Sequence, residues 1–246
     1  MKRFWIYLLA LLLALGIPLT AAAQELTGCT VAADSVAAVP GDTVTVPVRI
    51  SGNPGFTNFT IAVKYDTAAL KLERIDPVGE EENRYLCPET ASANTAYVAN
   101  EGDTPCGYIT AASSEPVVGD GVLFTLTFTL LKQTPGEVNV EPELQYLRCA
   151  DALTSVFASL TASGQKSTVQ VVLRGDADED GAVTDADAAF VYSCINDNLP
   201  LTDAQRAAAD VNGDSMVDTT DAAILYRVVH GTLDGFPEVT YEEVTE

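Results

Sequence analysis

The sequence predicts a mainly β sandwich followed by a small all-α domain, with the change near residue 173. Three observations support this prediction. Apolar and polar residues alternate in several short runs before residue 173, which is typical of strands with one buried face. No helical pattern separates those runs, which favours an antiparallel sandwich over a parallel α/β sheet. After residue 173, a segment of 22 residues recurs at a spacing of 34, as in duplicated structural units.

Composition limits the classes of function. The chain has 246 residues, which allows one or two domains, and 47% of them are hydrophobic, enough for a packed core. Its 35 acidic residues against 13 basic ones give a net charge of −22, so we expect binding neither to nucleic acid nor directly to a membrane. The single histidine, His230, leaves little scope for a nucleophile with a histidine base. These numbers favour a protein that is not an enzyme.

The first 23 residues are predicted to be a signal peptide. A basic start at residues 2–3 precedes an apolar run from Phe4 to Leu19, and the small residues Ala21 to Ala23 suit a signal peptidase. Cleavage would leave Gln24 as the new N-terminus and send the protein out of the cell. Two alternatives stay open, namely an uncleaved membrane anchor and lipid attachment at Cys29, because the residues before that cysteine resemble a lipobox.

Export places the cysteines in an oxidising compartment, where disulfides form. The count is odd, so at least one cysteine is free or pairs between chains. A Cys87–Cys106 bridge and a Cys29–Cys149 bridge are both open, and spacing does not choose between them. Cys194 falls on the apolar side of a predicted helix and is interpreted as a small core residue.

The strand predictions begin after the turn Pro40-Gly41-Asp42, where four β-branched apolar residues alternate with Thr, Pro and Arg. Turns rich in Gly, Pro, Asn and Asp separate the later runs. The predicted strands are Val44–Ile50, Ile61–Tyr65, Leu70–Ile75, Val122–Leu131 and Thr168–Leu173.

Each repeat is predicted to be a calcium loop followed by a helix. Calcium prefers six to eight oxygen ligands, and a 12-residue loop supplies them from positions 1, 3, 5, 7, 9 and 12. The first loop is DADEDGAVTDAD and the second is DVNGDSMVDTTD. The predicted ligands, with a backbone carbonyl at position 7, are Asp176, Asp178, Asp180, Ala182, Thr184 and Asp187 in the first loop, and Asp210, Asn212, Asp214, Met216, Asp218 and Asp221 in the second. The sequence thus predicts two Ca²⁺ ions.

Other loop positions agree with this interpretation. Val183 and Val217 at position 8 are apolar, as needed to reach the core. Position 6 requires a left-handed backbone, which Gly181 adopts freely and Ser215 adopts at a cost of about 1 kcal/mol. Apolar helices are predicted over Ala188–Ile195 and Ala222–Val229, but no amphipathic helix precedes the first loop. An acidic solvated turn would explain one such loop but not two in register.

This pair of loop-helix units, EF-hand-like but without the entering helix, resembles a type I-like dockerin module over Leu173 to Leu233. Upstream, residues 38–76 are similar to the opening strands of a cohesin, and GDGVLFTLTFTL at residues 119–130 is similar to a late cohesin strand. The cohesin resemblance covers residues 28–172 and implies a nine-stranded jelly-roll sandwich. Together the two resemblances imply a cellulosome adaptor scaffoldin.

The resemblance also implies partner-binding residues, because positions 10, 11, 17 and 18 of dockerin repeats commonly face the cohesin. The implied residues are Asp185, Ala186, Tyr192 and Ser193 in the first repeat, and Thr219, Thr220, Tyr226 and Arg227 in the second. Because the two sets share only tyrosine, we expect one preferred binding orientation. In the cohesin, Asn58 matches an asparagine used at many dockerin interfaces, whereas Thr60 replaces the aspartate of the common pattern.

The predicted organisation is a signal peptide (1–23), a cohesin-like sandwich (28–172), a dockerin-like module (173–233) and an acidic tail (234–246). The predicted function is a non-catalytic adaptor: its dockerin docks with calcium into a cohesin of another scaffoldin, and its cohesin recruits a dockerin-bearing protein. The expected location is extracellular, with indirect attachment to the cell surface through a cellulosome. Because the junction near Arg174-Gly175 is short, we do not expect the dockerin-like module to bind the cohesin-like sandwich of its own chain.

Two other functions are alternatives to the adaptor. A carbohydrate-binding sandwich usually needs an aromatic platform, for which this chain offers tyrosines at 65, 85, 97, 108 and 146 but no tryptophan beyond the signal peptide. A glycoside hydrolase needs paired carboxylates. The candidates are Glu80, Glu81, Glu82 and Glu89. Their charged run is more typical of a solvated loop than of a catalytic pair.

Overall fold

The computed structural model describes residues 29–53, 55–77, 86–88, 90–100, 103–149 and 167–237, without the side chains at 148 and 149. The predicted signal peptide, the candidate carboxylates at 80–82 and 89, Tyr85 and residues 238–246 of the acidic tail lie outside these residues.

The described residues form ten strands in two packed sheets. One sheet has four strands in the order β1-β3-β8-β5, and the other has six in the order β2-β10-β9-β4-β7-β6. All five predicted strands are confirmed within a few residues, whereas β1, β2, β6, β7 and β9 were not predicted. The strand bounds are β1 Thr30–Ala33, β2 Val36–Ala38, β3 Thr43–Ser51, β4 Phe56–Tyr65, β5 Leu70–Asp76, β6 Thr90–Tyr97, β7 Cys106–Val117, β8 Gly121–Leu130, β9 Gly136–Cys149 and β10 Ser167–Val171.

The difference between nine predicted strands and ten observed ones lies at the first strand. Only Asp34 and Ser35 separate β1 from β2, and the chain changes sheets at this point. β1 pairs antiparallel with β3, whereas β2 pairs parallel with β10. The two segments are thus one strand that crosses from sheet to sheet. The prediction of a purely antiparallel sandwich is wrong at β2–β10, because the crossing brings the first and last strands side by side in the same direction.

Large side chains fill the space between the sheets. Phe56, Phe59, Phe124 and Phe128 are fully buried, and the rings of Phe59 and Phe124 stack at a centroid distance of 6.4 Å across the two sheets. Cys29, just before β1, is also buried in this core. Burial of so much apolar surface is the main source of stability of the sandwich (residues 29–171).

Residues 173–237 form a helical module, here called the calcium module after the prediction for its two loops, with three described helices. They are α1, Asp185–Asp197, α2, Asp203–Ala209, and α3, Thr219–Val229. α1 and α3 each begin three residues before their predicted starts, because Thr184 and Asp218 cap them through capping boxes. α2 was not predicted, although Thr202 and Gln205 form a third capping box at its start. None of the described helices is long and apolar enough to cross a membrane.

Candidate calcium sites and partner-binding faces

In the first loop, three predicted ligands converge. Ligand atoms of Asp176, Asp178 and Asp187 all lie within 4.8 Å of one another. Backbone N–H groups hold the carboxylates in place: Gly181 donates to Asp176 Oδ2 at 3.0 Å, and Asp180 donates to Asp178 Oδ1 at 3.2 Å. Asp176 Oδ1 is left without a hydrogen-bond donor among the described residues, which suits a cation beside it.

The second loop repeats this pattern of backbone hydrogen bonds to its side chains. Asp210 accepts from the backbone N–H groups of Gly213 and Ser215 at 2.8 and 2.9 Å. Asp214 accepts from the N–H of Met216 at 2.9 Å, as Asp180 accepts from that of Ala182 in the first loop. The two loops are therefore folded on one plan despite their differences in sequence.

The aspartate at position 12 has a second role in both loops. Asp187 accepts from the N–H of Asp178 at 3.1 Å and from that of Thr184 at 2.7 Å, and it is fully buried. Asp221, also fully buried, accepts from Val211 and Asp218 at 3.0 and 2.9 Å. Each carboxylate thus ties the start of its loop to the start of its helix, where its negative charge also suits the helix dipole.

Backbone conformation confirms one prediction and adds a second constrained position. Position 6 is left-handed in both loops, with φ of +91° at Gly181 and +69° at Ser215. Position 4 is left-handed as well, with φ of +63° at Glu179 and +73° at Gly213. Each loop therefore places glycine at one of the two positions and a residue with a side chain at the other, at a cost of about 1 kcal/mol.

The carboxylates of the first loop repel one another. Desolvation, followed by the charges of Asp187, Asp180 and Asp176, raises the pKa of Asp178 despite a hydrogen bond from the backbone of Asp180. In the second loop, burial raises the pKa of Asp221. A bound cation would remove this repulsion.

One buried atom provides a direct test of fit for a cation. Asp176 Oδ1 is buried and has no hydrogen-bond partner among the described residues. An unpaired buried carboxylate oxygen costs several kcal/mol, of the order expected for desolvating a charged group. Because a hard cation at the centre of the loop would coordinate this oxygen, the residues of the first loop fit Ca²⁺. Ala182 and Met216 remain predicted carbonyl ligands, and Thr184, Asn212 and Asp218 remain predicted side-chain ligands.

The two long helices present an exposed groove of about 580 Å³, here called the helix-pair face. Its lining includes Asp185, Tyr192, Thr219, Tyr226 and Arg227, all of them exposed and all predicted to bind a partner. The other three predicted residues, Ala186, Ser193 and Thr220, are exposed beside it.

His230 also lines the helix-pair face, where the sequence did not predict it. Its ring stacks on that of Tyr226 at 4.0 Å, and its Nδ1 lies 3.3 Å from Asp185. It is also the C-cap residue of α3. The sequence signal for its second position was its place four residues after Tyr226, one helical turn away.

On the sandwich, the outer surface of β9-β4-β7-β6 forms the sheet face. Asn58 and Thr60 lie on it in β4, and the Thr60 hydroxyl donates to the Thr110 hydroxyl of β7 at 3.2 Å. At the end of the same face, the rings of Tyr97 and Tyr108 stack at 4.3 Å. These side chains leave a broad, partly polar surface around the two predicted residues.

The cysteines follow the predictions in part. Cys194 is buried in the calcium module, as expected. Cys87 and Cys106 are not joined to each other, so that alternative is wrong in this structure. Burial raises the pKa of Cys87 to about 12, because its thiol is held among apolar side chains. The Cys29–Cys149 bridge stays a prediction, since the Cys149 side chain is outside the description.

Comparison with known families agrees with both halves of the chain. Residues 29–146 match the family model of the cohesin domain, and residues 174–229 match that of the dockerin type I domain. Both are interaction modules without catalytic activity, and type I dockerins generally bind calcium. No curated protein matches the chain.

Solved structures similar to this chain include a chain of a type I cohesin–dockerin complex from Clostridium thermocellum, at 18% identity and a TM-score of 0.45. That alignment covers 58% of this chain and 99% of the other. CaCohA2 from Clostridium acetobutylicum has 21% identity over 58% of this chain and 90% of its own, with a TM-score of 0.43. A non-cellulosomal cohesin from Archaeoglobus fulgidus has 17% identity over 58% and 91%, with a TM-score of 0.43. The two family matches, in this order along the sequence, identify the chain as a cohesin domain followed by a type I dockerin domain.

Proposed function

We propose that the protein is a secreted, non-catalytic cellulosome adaptor that joins two other proteins. Its dockerin binds a cohesin of another scaffoldin in a calcium-dependent manner, and its cohesin binds a dockerin-bearing enzyme or scaffoldin. The observation that carries this proposal is the presence of one cohesin domain and one dockerin domain in a single chain. Attachment to the cell surface would then be indirect.

The exposure of both faces supports this function. Tyr192 and Tyr226 on the helix-pair face are 59% and 55% exposed. Large exposed aromatic side chains beside small ones such as Ala189 and Ala223 are typical of protein-binding surfaces. On the sandwich, Asn58 and Thr60 lie on the central strand of the sheet face, which leaves room for a partner on both sides.

The loops support calcium dependence and a total of two ions. The predicted ligands include four aspartates in each loop, so two Ca²⁺ ions would offset four of these eight negative charges. The position-12 aspartates connect each loop to the first turn of α1 or α3. Ion binding would therefore order the helices that carry the helix-pair face.

A capture experiment with the full chain tests both halves. The helix-pair face should retain a purified cohesin in Ca²⁺ and release it in EDTA, and a Tyr192→Ala/Tyr226→Ala variant should lose it. The sheet face should retain a purified dockerin, and Thr60→Arg should abolish this. Matched controls are Leu199→Ala and Thr45→Arg, both exposed and away from these faces. Retention of neither partner from a panel of cohesins and dockerins would contradict the adaptor.

Orientation can be tested on the same surface. Because the two repeats present different side chains, Thr219→Ala/Arg227→Ala and Asp185→Ala/Tyr192→Ala should weaken cohesin binding unequally, by more than tenfold between them. Equal losses, measured by calorimetry, would show that both orientations are used.

A carbohydrate-binding sandwich is the second candidate, and one observation favours it. Tyr97 and Tyr108 stack beside a groove of about 830 Å³ that also exposes Lys64, Glu143 and Gln145. Aromatic and polar side chains together suit a sugar chain. Retention of the full chain on cellulose or xylan, lost in Tyr97→Ala, would support this function. No retention would contradict it and leave the adaptor as the proposed function.

A further inference from the structure

The calcium module packs directly on the sandwich through α2. Val39 and Val172 of the sandwich end and its junction are buried against Ala204 and Ala208 of α2. Ala37 of β2 and Ala207 of α2 pack at the margin of this cluster. The small alanine side chains let the helix approach the edge strand of the six-stranded sheet closely.

A polar contact closes the same interface. Arg174 Nη2 lies 2.5 Å from Asp42 Oδ1, and these two side chains are only 18% and 21% exposed. Burial raises the pKa of Asp42 even though Arg174 opposes the change. A partly buried pair of this kind helps to orient two surfaces, because either charge alone would be left uncompensated.

The backbone at the junction is held by hydrogen bonds to both domains. The Val172 N–H donates to the Ala38 carbonyl at 3.0 Å, which extends the β2–β10 pairing past the end of the strand. Three residues later, the Gly175 N–H donates to the Ala208 carbonyl at 2.8 Å. The chain is thus bound first to the sandwich and then to α2 just before the first loop begins at Asp176.

α2 also continues directly into the second loop. Asp210, its first predicted ligand, is the C-cap residue of α2 and donates its N–H to the Arg206 carbonyl at 3.0 Å. Both oxygens of Asp210 hold backbone N–H groups of the loop. The charge of Asp210 acts on Asp42 across the interface. A Ca²⁺ ion in the second loop would offset this repulsion, so ion binding and domain packing should favour each other.

We propose that the cohesin and dockerin domains form one rigid unit through the α2 interface, and that this packing strengthens calcium binding in the second loop. The inference rests on the calcium sites of the proposed function. It adds that the helix-pair face and the sheet face keep a fixed orientation relative to each other. An adaptor of this kind would hold its two partners at a set angle.

The test is NMR on the full, calcium-loaded chain. Backbone relaxation should give one rotational correlation time for both domains. Calcium titration against a competing chelator should be followed at the Gly181 amide for the first loop and at the Gly213 amide for the second. Val39→Glu places a charge against α2 outside the main sandwich core, and Val118→Glu is the matched control at an exposed site.

In Val39→Glu, we expect the dockerin to tumble faster than the cohesin and the second loop to bind Ca²⁺ at least fivefold more weakly, with the first loop changed less than twofold. Val118→Glu should behave as wild type. Two correlation times in the wild-type chain, or equal affinities of the second loop in both variants, would overturn the proposal.

A second variant guards against misfolding of the first. Arg174→Met keeps the apolar stem but leaves Asp42 uncompensated at the interface, so the dockerin should tumble faster than the cohesin, as in Val39→Glu. Adding Asp42→Asn should bring the two correlation times back together; no recovery would contradict the role of the pair. Failure of partner capture would leave these readouts unaffected, so it would count against the adaptor function alone.

Discussion

The cohesin and dockerin domains differ most in what fills their cores. Four phenylalanines are fully buried in the sandwich, whereas the dockerin core consists mainly of Ala, Val and Leu side chains and fully buries none of its described aromatic rings. The dockerin instead buries three carboxylates, those of Asp176, Asp187 and Asp221. A domain of about 60 residues with such a small core needs another source of stability, and bound metal is a common one. The comparison teaches that one chain can combine a domain with a large apolar core and a domain whose small apolar core lies beside buried carboxylates.

Removal of calcium should separate the two regions most clearly. In EDTA, we expect the dockerin helices to lose hydrogen-exchange protection almost completely, because the buried carboxylates repel one another without the ions. The strands of the sandwich should keep their protection. If the helices stayed protected in EDTA, apolar packing would be sufficient for the dockerin and the comparison would fail.

Truncation of the sandwich core should give the converse result. Phe59 contacts Phe56 and Phe124 and is 1% exposed, so Phe59→Ala should lower the free energy of unfolding of the sandwich by about 3 to 5 kcal/mol. Calcium binding by the folded variant should be unchanged. Chemical denaturation with calcium titration measures both, and a large change in calcium affinity would show that the cores are not separate.

A smaller effect is expected at the start of the dockerin, where Phe236 covers Gly175. A Cβ atom at this glycine would lie 2.5 Å from Phe236 Cζ and 3.0 Å from Val183 Cγ1, and φ is +92°. Gly175→Ala should therefore destabilise the dockerin by about 2 kcal/mol in thermal unfolding. Gly181→Ala is the control, because it has φ of +91° but no atom within 4 Å of the added Cβ. Equal losses in both variants would mean that packing of Phe236 contributes nothing.

The smallest effect should come from relief of strain at Ser215. Ser215→Gly keeps the N–H donated to Asp210 and removes the cost of φ at +69°, so the calcium-loaded dockerin should gain about 0.5 to 1 kcal/mol. Gly213→Ala in the same loop should act in the opposite direction. A loss of stability in Ser215→Gly would indicate that the serine hydroxyl has a separate role.

Sequence alone predicted the parts of this molecule that depend on local patterns. The repeat located both loops, and alternation located five strands, because each of these signals lies within about a dozen residues. β6 was missed because small and polar residues such as Ala93 and Asn94 carry no clear period on an edge strand. α2 was missed because its seven residues are too short for a helical period, and its apolar side is made of alanines.

Contacts between distant residues could not be predicted. The crossing at Asp34-Ser35 depends on pairing with β3 and β10, which lie far apart in sequence. The same holds for the Arg174–Asp42 pair, separated by 132 residues. At the helix-pair face, the exposed tyrosines followed from the repeat, but the approach of His230 to Asp185 required the packing of α3 on α1.

The burial of Cys29 has a consequence for maturation of the protein. This residue is 5% exposed in the sandwich core, immediately before the strand that crosses between the sheets. A thioether-linked lipid on its sulfur would have to leave that core and draw β1 away from β3. The buried position of this sulfur in the folded sandwich therefore argues against lipid attachment at Cys29.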